Sequence, residues 1–276
     1  MAQEVVLSRA ANRMIGFGPT TVYFHGVSDE TSWNINRKNP ETFDPIEGVV
    51  PYGIRRVWMP IPSQANGVIT KLWQMRPQFE ATGRVEFMGK VNADGCPIPT
   101  GEAFAVCSAD CATVVAYSKD HLVTLAAHAG RDSVLERSFI KTGNACRQNL
   151  GVLHSIVAAM WALGYDPREV FLGVFGGIRT NFLHPPDHAE YGGFNRRLIS
   201  FCKRIDGAVL DDQTGDIDMY AVIAGVAVRI GILEKHIFFD DVDTGSDVDE
   251  HGNPLWASHR HGKPGMRNLC IVHNHG

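Results

Sequence analysis

A cysteine and a histidine at the two ends of one predicted β-hairpin are the residues of this sequence best placed to do chemistry. The segment from Cys107 to Gly130 reads CSADCATVVAYSKDHLVTLAAHAG. Two apolar runs flank a polar Ser-Lys-Asp-His group, the pattern of two antiparallel strands and a turn. A turn centred between Lys119 and Asp120 sets Ser118 opposite His121 and Cys111 opposite His128. Directly opposed β-carbons lie roughly 4.5 to 5.5 Å apart, so a sulfur and a ring nitrogen can share a hydrogen bond or one metal ion. An imidazole that takes the thiol proton or stabilises the thiolate makes cysteine a nucleophile near neutral pH. A zinc ion would deprotonate the thiol by coordination and could then activate a water. The same spacing also fits an ordinary buried cysteine beside a hydrogen-bonded core histidine.

The register gives the hairpin two unlike faces. Ala112, Val114 and Ala116 line up with Ala127, Leu125 and Val123 as a purely apolar surface, while Thr113, Val115 and Tyr117 share the face of Cys111 and His128. A mixed face beside an apolar one suits the floor of a pocket built on a core strand. Other runs rich in Val, Ile, Phe and Tyr predict strands over 21–25, 68–73, 84–91, 102–107, 169–175, 236–239 and 269–273. Two long helices are expected. The one over 144–163 is apolar nearly all round and stops at Gly164; the one over 216–232 has Asp216 and Asp218 at its positive end. A shorter helix is expected over 194–204. Many strands, few helices and no regular alternation predict an α+β fold of mixed, largely antiparallel sheets flanked by helices. No strand is followed by a Gly-x-Gly-x-x-Gly or Walker pattern, which disfavours dinucleotide-binding and P-loop enzymes.

Composition narrows the partners. The chain has 276 residues, is 44% hydrophobic, and contains no linker-like tract, so one domain over 1–276 is expected. With 26 Lys and Arg against 30 Asp and Glu, nothing in the charge points to nucleic acid or an anionic membrane. Glu4, Arg9 and Arg13 interrupt the apolar stretch a signal peptide would need, and 219–233 is broken by Gly225, Arg229 and Gly231. The six cysteines are scattered. Reduced thiols and a cytoplasmic location are expected, with a small-molecule substrate and a monomer or weak homo-oligomer.

The order Ser108-Ala109-Asp110-Cys111, hairpin, His128-Ala129-Gly130 resembles the signature of the YfiH-like, laccase-domain family. In that family Thr/Ser-Ala-Asp-Cys precedes His-Ala-Gly-Trp-Arg-Gly. Gly26-Val27-Ser28 and Ser32-Trp33-Asn34-Ile35 are similar to its Gly-Val-Ser and Ser-Leu-Asn-Leu; Phe175-Gly176-Gly177-Ile178 sits where it has a Gly-Pro loop. Ser258-His259-Arg260-His261-Gly262 and Gly265-Met266-Arg267 resemble its Ser-Tyr-Arg-Arg segment and the Gly-Arg before its last strand. The resemblance implies a fold related to cysteine-hydrolase-like toxins. It also implies purine nucleoside phosphorylase or adenosine deaminase activity at a Cys-His-His site that can hold zinc, with nucleoside and phosphate as substrates. Cys111 and His128 match two of those three residues.

The third does not match. The family's Gln-Val-His-Gly is represented by Glu86-Phe87-Met88-Gly89, which puts a poor zinc ligand at the histidine position. His25 is the first substitute considered as a metal ligand, the alternative being a surface histidine at a strand end. Arg131 and Asp132 replace the Trp and Arg after His-Ala-Gly, and Asp243-Thr244 stands near the family's Cys-Thr. Asn34, Arg131 and Arg260 are the expected contacts to phosphate or ribose. Two other functions remain open: a metal-free cysteine hydrolase or amidase using Cys111 and His128, which Met88 favours, and a non-catalytic ligand-binding protein. No ordered set of His-x-His pairs, Cys and axial Met supports copper oxidase chemistry. The histidines 259 and 261, and 273 and 275, could gather a metal, or lie on a solvated tail. The acidic run 240–250 lacks the register of a calcium loop and reads as a turn, and His184-Pro185-Pro186-Asp187-His188 reads as a rigid loop near the pocket mouth.

Overall fold

Strict alternation along the strands decides the layering. The structure is a computed structural model that describes residues 4–7, 12–26, 33–35, 37, 39–62, 67–78, 83–135, 151–260 and 265–276. One eight-stranded sheet runs in the order β1 (Glu4–Leu7), β2 (Asn12–Phe17), β3 (Thr20–His25), β15 (Asn268–Asn274), β8 (Ala103–Ser108), β4 (Arg56–Trp58), β6 (Glu86–Gly89), β5 (Arg76–Pro77). A five-stranded sheet runs in the order β14 (Ile237–Phe239), β11 (Val170–Phe175), β9 (Ala112–Ser118), β10 (Thr124–Ala129), β7 (Gly95–Pro97). A small pair joins β12 (Val209–Asp211) to β13 (Asp216–Ile217). β4 runs parallel to β6 and β8, and β11 parallel to β14; the other pairs are antiparallel. The chain is thus an α+β protein of mixed sheets flanked by helices, as its strand content predicts.

Odd and even residues of the same strands go to different cores. Val115 and Tyr117 of β9 join Val22, Phe24, Phe104, Val106, Cys270 and Val272 between the two sheets. Val114 and Ala116 face the opposite way, with Leu125, Ala127, Leu172 and Val174, against the helices. Those helices are α3 (Val152–Ala162), α4 (Gly192–Cys202) and α5 (Met219–Arg229), which contribute Leu153, Ile156, Leu198, Val222 and Ile223. Burying each such side chain stabilises the fold by roughly 1.5 to 3 kcal/mol. The far face of the larger sheet, with Ala103, Ala105, Leu269 and Ile271, is covered by Trp33, Phe43 and Ile46, the last from the short helix α1 (Asp44–Val49). A second short helix, α2 (Arg131–Val134), follows β10 directly. Helix α5 starts at Asp218, whose side chain accepts from the Tyr220 and Ala221 amides, and α3 is followed by Gly164 at φ +95°.

The hairpin register differs from the expected one by two residues. Thr124 faces Tyr117, Ala127 faces Val114 and His128 faces Thr113. The turn is four residues rather than two. The Ser118 amide donates to Val123 O, His121 takes a left-handed φ of +64°, and Asp120 Oδ1 accepts from Ser118 Oγ and the Leu122 amide. Since the side-chain period of a strand is two, an even slip keeps each residue on its expected face. Other elements depart further. The run 68–73 contributes only an isolated bridge at Val68 and a turn of 3-10 helix at Leu72–Gln74, and Asp216 belongs to β13 rather than to the helix. Strand β15 lies between β3 and β8, so His273 sits in a central strand rather than a solvated tail. Residues 144–150 with Cys146, the 27–32 segment, and His261 with Gly262 lie outside the described residues. The five described cysteines are free, and no described helix is long and apolar enough to cross a membrane.

Candidate active site

Three neighbouring strands set a thiol, an imidazole and a carboxylate in one row. His128 projects between the sheets from β10, beside Thr113 on β9. On its other side β7 continues the ladder, for Ala127 faces Gly95 and the His128 amide donates to Asp94 O at 2.8 Å. Asp94 is therefore the cross-strand neighbour of His128 on the same face. Gly95 permits this: a β-carbon there would stand 2.2 Å from Ala126 O, so any side chain would push β7 off β10. Asp94 is fully buried, and its Oδ1 lies 3.8 Å from His128 Nδ1.

Cys111 sits just before β9, diagonal to His128. Its approach depends on Gly130. A β-carbon at Gly130 would be 3.0 Å from Cys111 Sγ, 3.0 Å from His128 Cε1 and 3.5 Å from Nε2. Sulfur and imidazole thus close over one bare backbone position. Burial by itself would hold the His128 pKa down. Cys111, through charge and a hydrogen bond, and the Asp94 carboxylate outweigh burial and push it up to about 10. A raised folded pKa stabilises the protein fully below the ordinary value near 6.5, and that contribution is lost as pH rises through about 10. The melting temperature should accordingly fall between pH 6.5 and 10.5 more steeply in the native protein than in His128→Gln. Equal slopes in the two proteins would remove the imidazolium from this account.

Asp110 shapes the approach to the thiol. It takes a left-handed φ of +72°, and its carboxylate accepts from the His259 amide at 2.9 Å, the Arg260 amide at 3.2 Å and Thr244 Oγ1 at 3.2 Å. Its carbonyl accepts from the Ile178 amide, and Ser108 Oγ donates to Cys111 O. One residue therefore pins the 176–180, 244 and 258–260 loops around Cys111. Between them lies a cavity of about 340 Å³, lined by Cys111, His128, Arg131, His259, Arg260 and Arg267 among others.

Its arginines are held by a carboxylate, a neutral ring and backbone carbonyls. Arg131 Nε donates to Asp132 and its Nη1 lies 3.0 Å from His184 Nε2. His184 Nδ1 is 2.8 Å from Phe182 O, which can only accept, so Nδ1 carries the proton and Nε2 accepts from Arg131. Burial, then the charges of Arg131 and Arg260, lower the His184 pKa to about 3 and keep that ring neutral. Arg260 donates to Leu183 O and stacks over Phe182, with 4.9 Å from guanidinium to ring centre.

Of the residues expected at the site, the structure brings together Cys111, His128, Arg131 and Arg260. His25 and Asn34 are not among the residues lining the cavity. His25 is half-buried on β3, with Nδ1 3.1 Å from Asn12 Oδ1, and Asn34 donates to Gly265 O. Met88 lies on β6, in the other sheet. Cys111 and His128 are two potential zinc ligands. No group of three or more His, Cys, Asp or Glu side chains suited to a metal ion occurs among the described residues. The acidic run 240–250 spends its carboxylates on its own turn and on the site's rim: Asp243 accepts from the Arg179 and Gly245 amides, and Asp249 from those of His251 and Asn253.

The sequence matches no family model and no curated protein. Solved structures do match along nearly the whole chain. The YfiH protein of Bacillus licheniformis superposes with a TM-score of 0.66 at 15% identity, covering 97% of both chains. A Neisseria meningitidis protein gives 0.63 at 15% identity, covering 96% of this chain and 100% of its own. YlmD from Geobacillus stearothermophilus gives 0.61 at 15% identity over 99% of each. The chain has the fold of the YfiH-like proteins.

Proposed function

We propose that the protein is a cysteine-dependent enzyme acting on a small anionic substrate, with Cys111 as nucleophile, His128 as its acid-base partner and Asp94 as the carboxylate that supports the imidazolium. The observation that carries this reading is the convergence of Cys111 and His128 on Gly130, with Asp94 buried behind the ring. The thiolate attacks an electrophilic carbon and forms a carbon-sulfur bond. His128 gives its proton to the leaving nitrogen or oxygen, then takes one from the water that displaces the sulfur. Arg131, Arg260 and Arg267 line the same cavity and favour a substrate with negative charge nearby.

A second reading keeps the same residues and makes the substrate a purine nucleoside, cleaved by phosphate or deaminated. The motif around Cys111 and His128, the shared fold and a guanidinium-lined cavity able to hold phosphate support it. Two measurements on the purified full-length chain separate the readings. Selective alkylation of Cys111 by iodoacetamide without stoichiometric zinc is expected for the hydrolase. Stoichiometric zinc that disappears in Cys111→Ala would replace it with metal-assisted chemistry. Release of free base from inosine only when phosphate is added, or of ammonia from adenosine, would establish the nucleoside reading, and inactivity on both would remove it.

A further inference from the structure

Consecutive backbone amides on the loop that follows β11, from Gly176 to Thr180, each donate to a fixed oxygen. The Gly176 amide donates to Asp240 Oδ2 at 2.8 Å, the Gly177 amide to Tyr220 Oη at 2.9 Å and the Ile178 amide to the Asp110 carbonyl at 2.9 Å. The amides of Arg179 and Thr180 donate to Asp243 Oδ1 at 2.9 and 3.4 Å. The Ile178 bond ends on the residue before Cys111, so the place of this loop is passed directly to the backbone that carries the thiol.

The loop also presses on the residue after Cys111. A β-carbon at Gly177 would stand 2.8 Å from Ala112 Cβ and 2.7 Å from the Tyr220 ring, and one at Gly176, whose φ is +64°, would stand 2.2 Å from the Phe24 ring. Bare backbone is thus held between Ala112 and Tyr220, and neither can move far without carrying it along. Tyr220, in the first turn of α5, and Asp240, just after β14, are both buried, and the Tyr220 hydroxyl donates to Asp240 Oδ1. That hydroxyl gives its proton to the carboxylate and offers a lone pair to the Gly177 amide. Burial pushes the Asp240 carboxyl up to about 7 against the hydrogen bonds that favour its charged form, and it is the adjacent Asp241 that pairs with Arg13. A buried carboxylate without a counter-ion costs stability. What it provides here is direction, one oxygen for the loop and one for the hydroxyl.

We infer that Tyr220 and Asp240 are positioning residues for Cys111: together they fix the Gly176-Gly177 backbone, which holds Asp110 through Ile178 and packs on Ala112. Neither residue lines the Cys111 cavity, so both act through the loop. This deepens, and rests on, the reading of Cys111 as the nucleophile. A shift of the backbone at 110–112 changes the approach of the sulfur to His128, and misplacing a reacting group by about 1 Å can cost roughly a hundredfold in rate.

The test uses the full-length chain, with iodoacetamide incorporation at Cys111 as one readout and hydrogen-deuterium exchange over 108–112 and 174–180 as the other. Tyr220→Phe keeps the ring and deletes the hydroxyl that serves both Gly177 and Asp240. Alkylation at neutral pH should slow at least about fivefold, and exchange should quicken over both segments. Asp240→Asn keeps the shape and replaces one acceptor with a donor, and should act in the same direction if Tyr220→Phe folds poorly. Phe239→Leu is the packing control. The Phe239 ring lies 5.7 Å from that of Tyr220 and is partly exposed, and its loss should leave Cys111 alkylation unchanged. A purely structural role would lower the melting temperature of Tyr220→Phe and Asp240→Asn and leave the alkylation rate of the folded chain where it was. Rates within about twofold of the native chain in both variants overturn the inference. A thiol that is inert in the native chain refutes the nucleophile reading instead, and exchange over 108–112 then decides the positioning alone: faster exchange in the variants sustains it, and unchanged exchange overturns it.

Discussion

Cys111→Ala is expected to reduce turnover at least about a thousandfold while the fold survives. Loss of a nucleophile removes the covalent route altogether, and what remains comes from binding and charge stabilisation. The substitution deletes one sulfur from a half-buried position that belongs to none of the hydrophobic cores, so the melting temperature should move by only a few degrees. The check is turnover and iodoacetamide incorporation measured side by side. Activity within tenfold of the native protein would mean that Cys111 forms no essential bond to substrate, and would leave the pair as a packing arrangement.

Asp94→Asn is expected to cost about a hundred- to ten-thousandfold in turnover, because the exchange keeps the shape and deletes the charge that supports the imidazolium. Asp94 is fully buried and lies on the far side of the ring from Cys111, so it acts through His128 and is a positioning residue. A structural role alone would lower stability. The readout that separates the two is the pH profile of Cys111 alkylation. Removing the carboxylate takes away one of the groups that hold the His128 pKa near 10, so the upper limb of that profile should move to lower pH in Asp94→Asn. An unshifted profile with full turnover would confine Asp94 to holding β7 in place through its backbone.

The pair was legible in the sequence, and its support was not. Cys111 and His128 could be placed on one face because strand periodicity survives an even slip of register. The turn itself was misjudged, because the Asp120 side chain and the left-handed His121 build a four-residue loop that apolar patterning does not report. Asp94 is silent in the sequence for a different reason. Strand β7 is three residues, Gly-Cys-Pro, with none of the β-branched side chains that mark a strand, and it exists because β10 offers a long-range partner. The same holds for His184, whose loop was visible as Pro-rich but whose tautomer depends on Phe182 O and Arg131. The two helices were recognised by their apolar content and their Gly164 and Asp218 ends. Strand β2 carries a weak strand signal because Arg13 and Gly16 dilute its pattern. His25 was proposed from its position at a strand end. The structure satisfies it with Asn12, a cross-strand neighbour that sequence spacing does not reveal.

Gly130 carries a final implication. The hydrogen on its α-carbon points where a β-carbon would stand 3.0 Å from both the sulfur and the ring edge. One added methyl would therefore act as a wedge between the Cys111 sulfur and the His128 ring. If Cys111 and His128 react together as proposed, Gly130→Ala is expected to lower turnover more than it lowers the melting temperature.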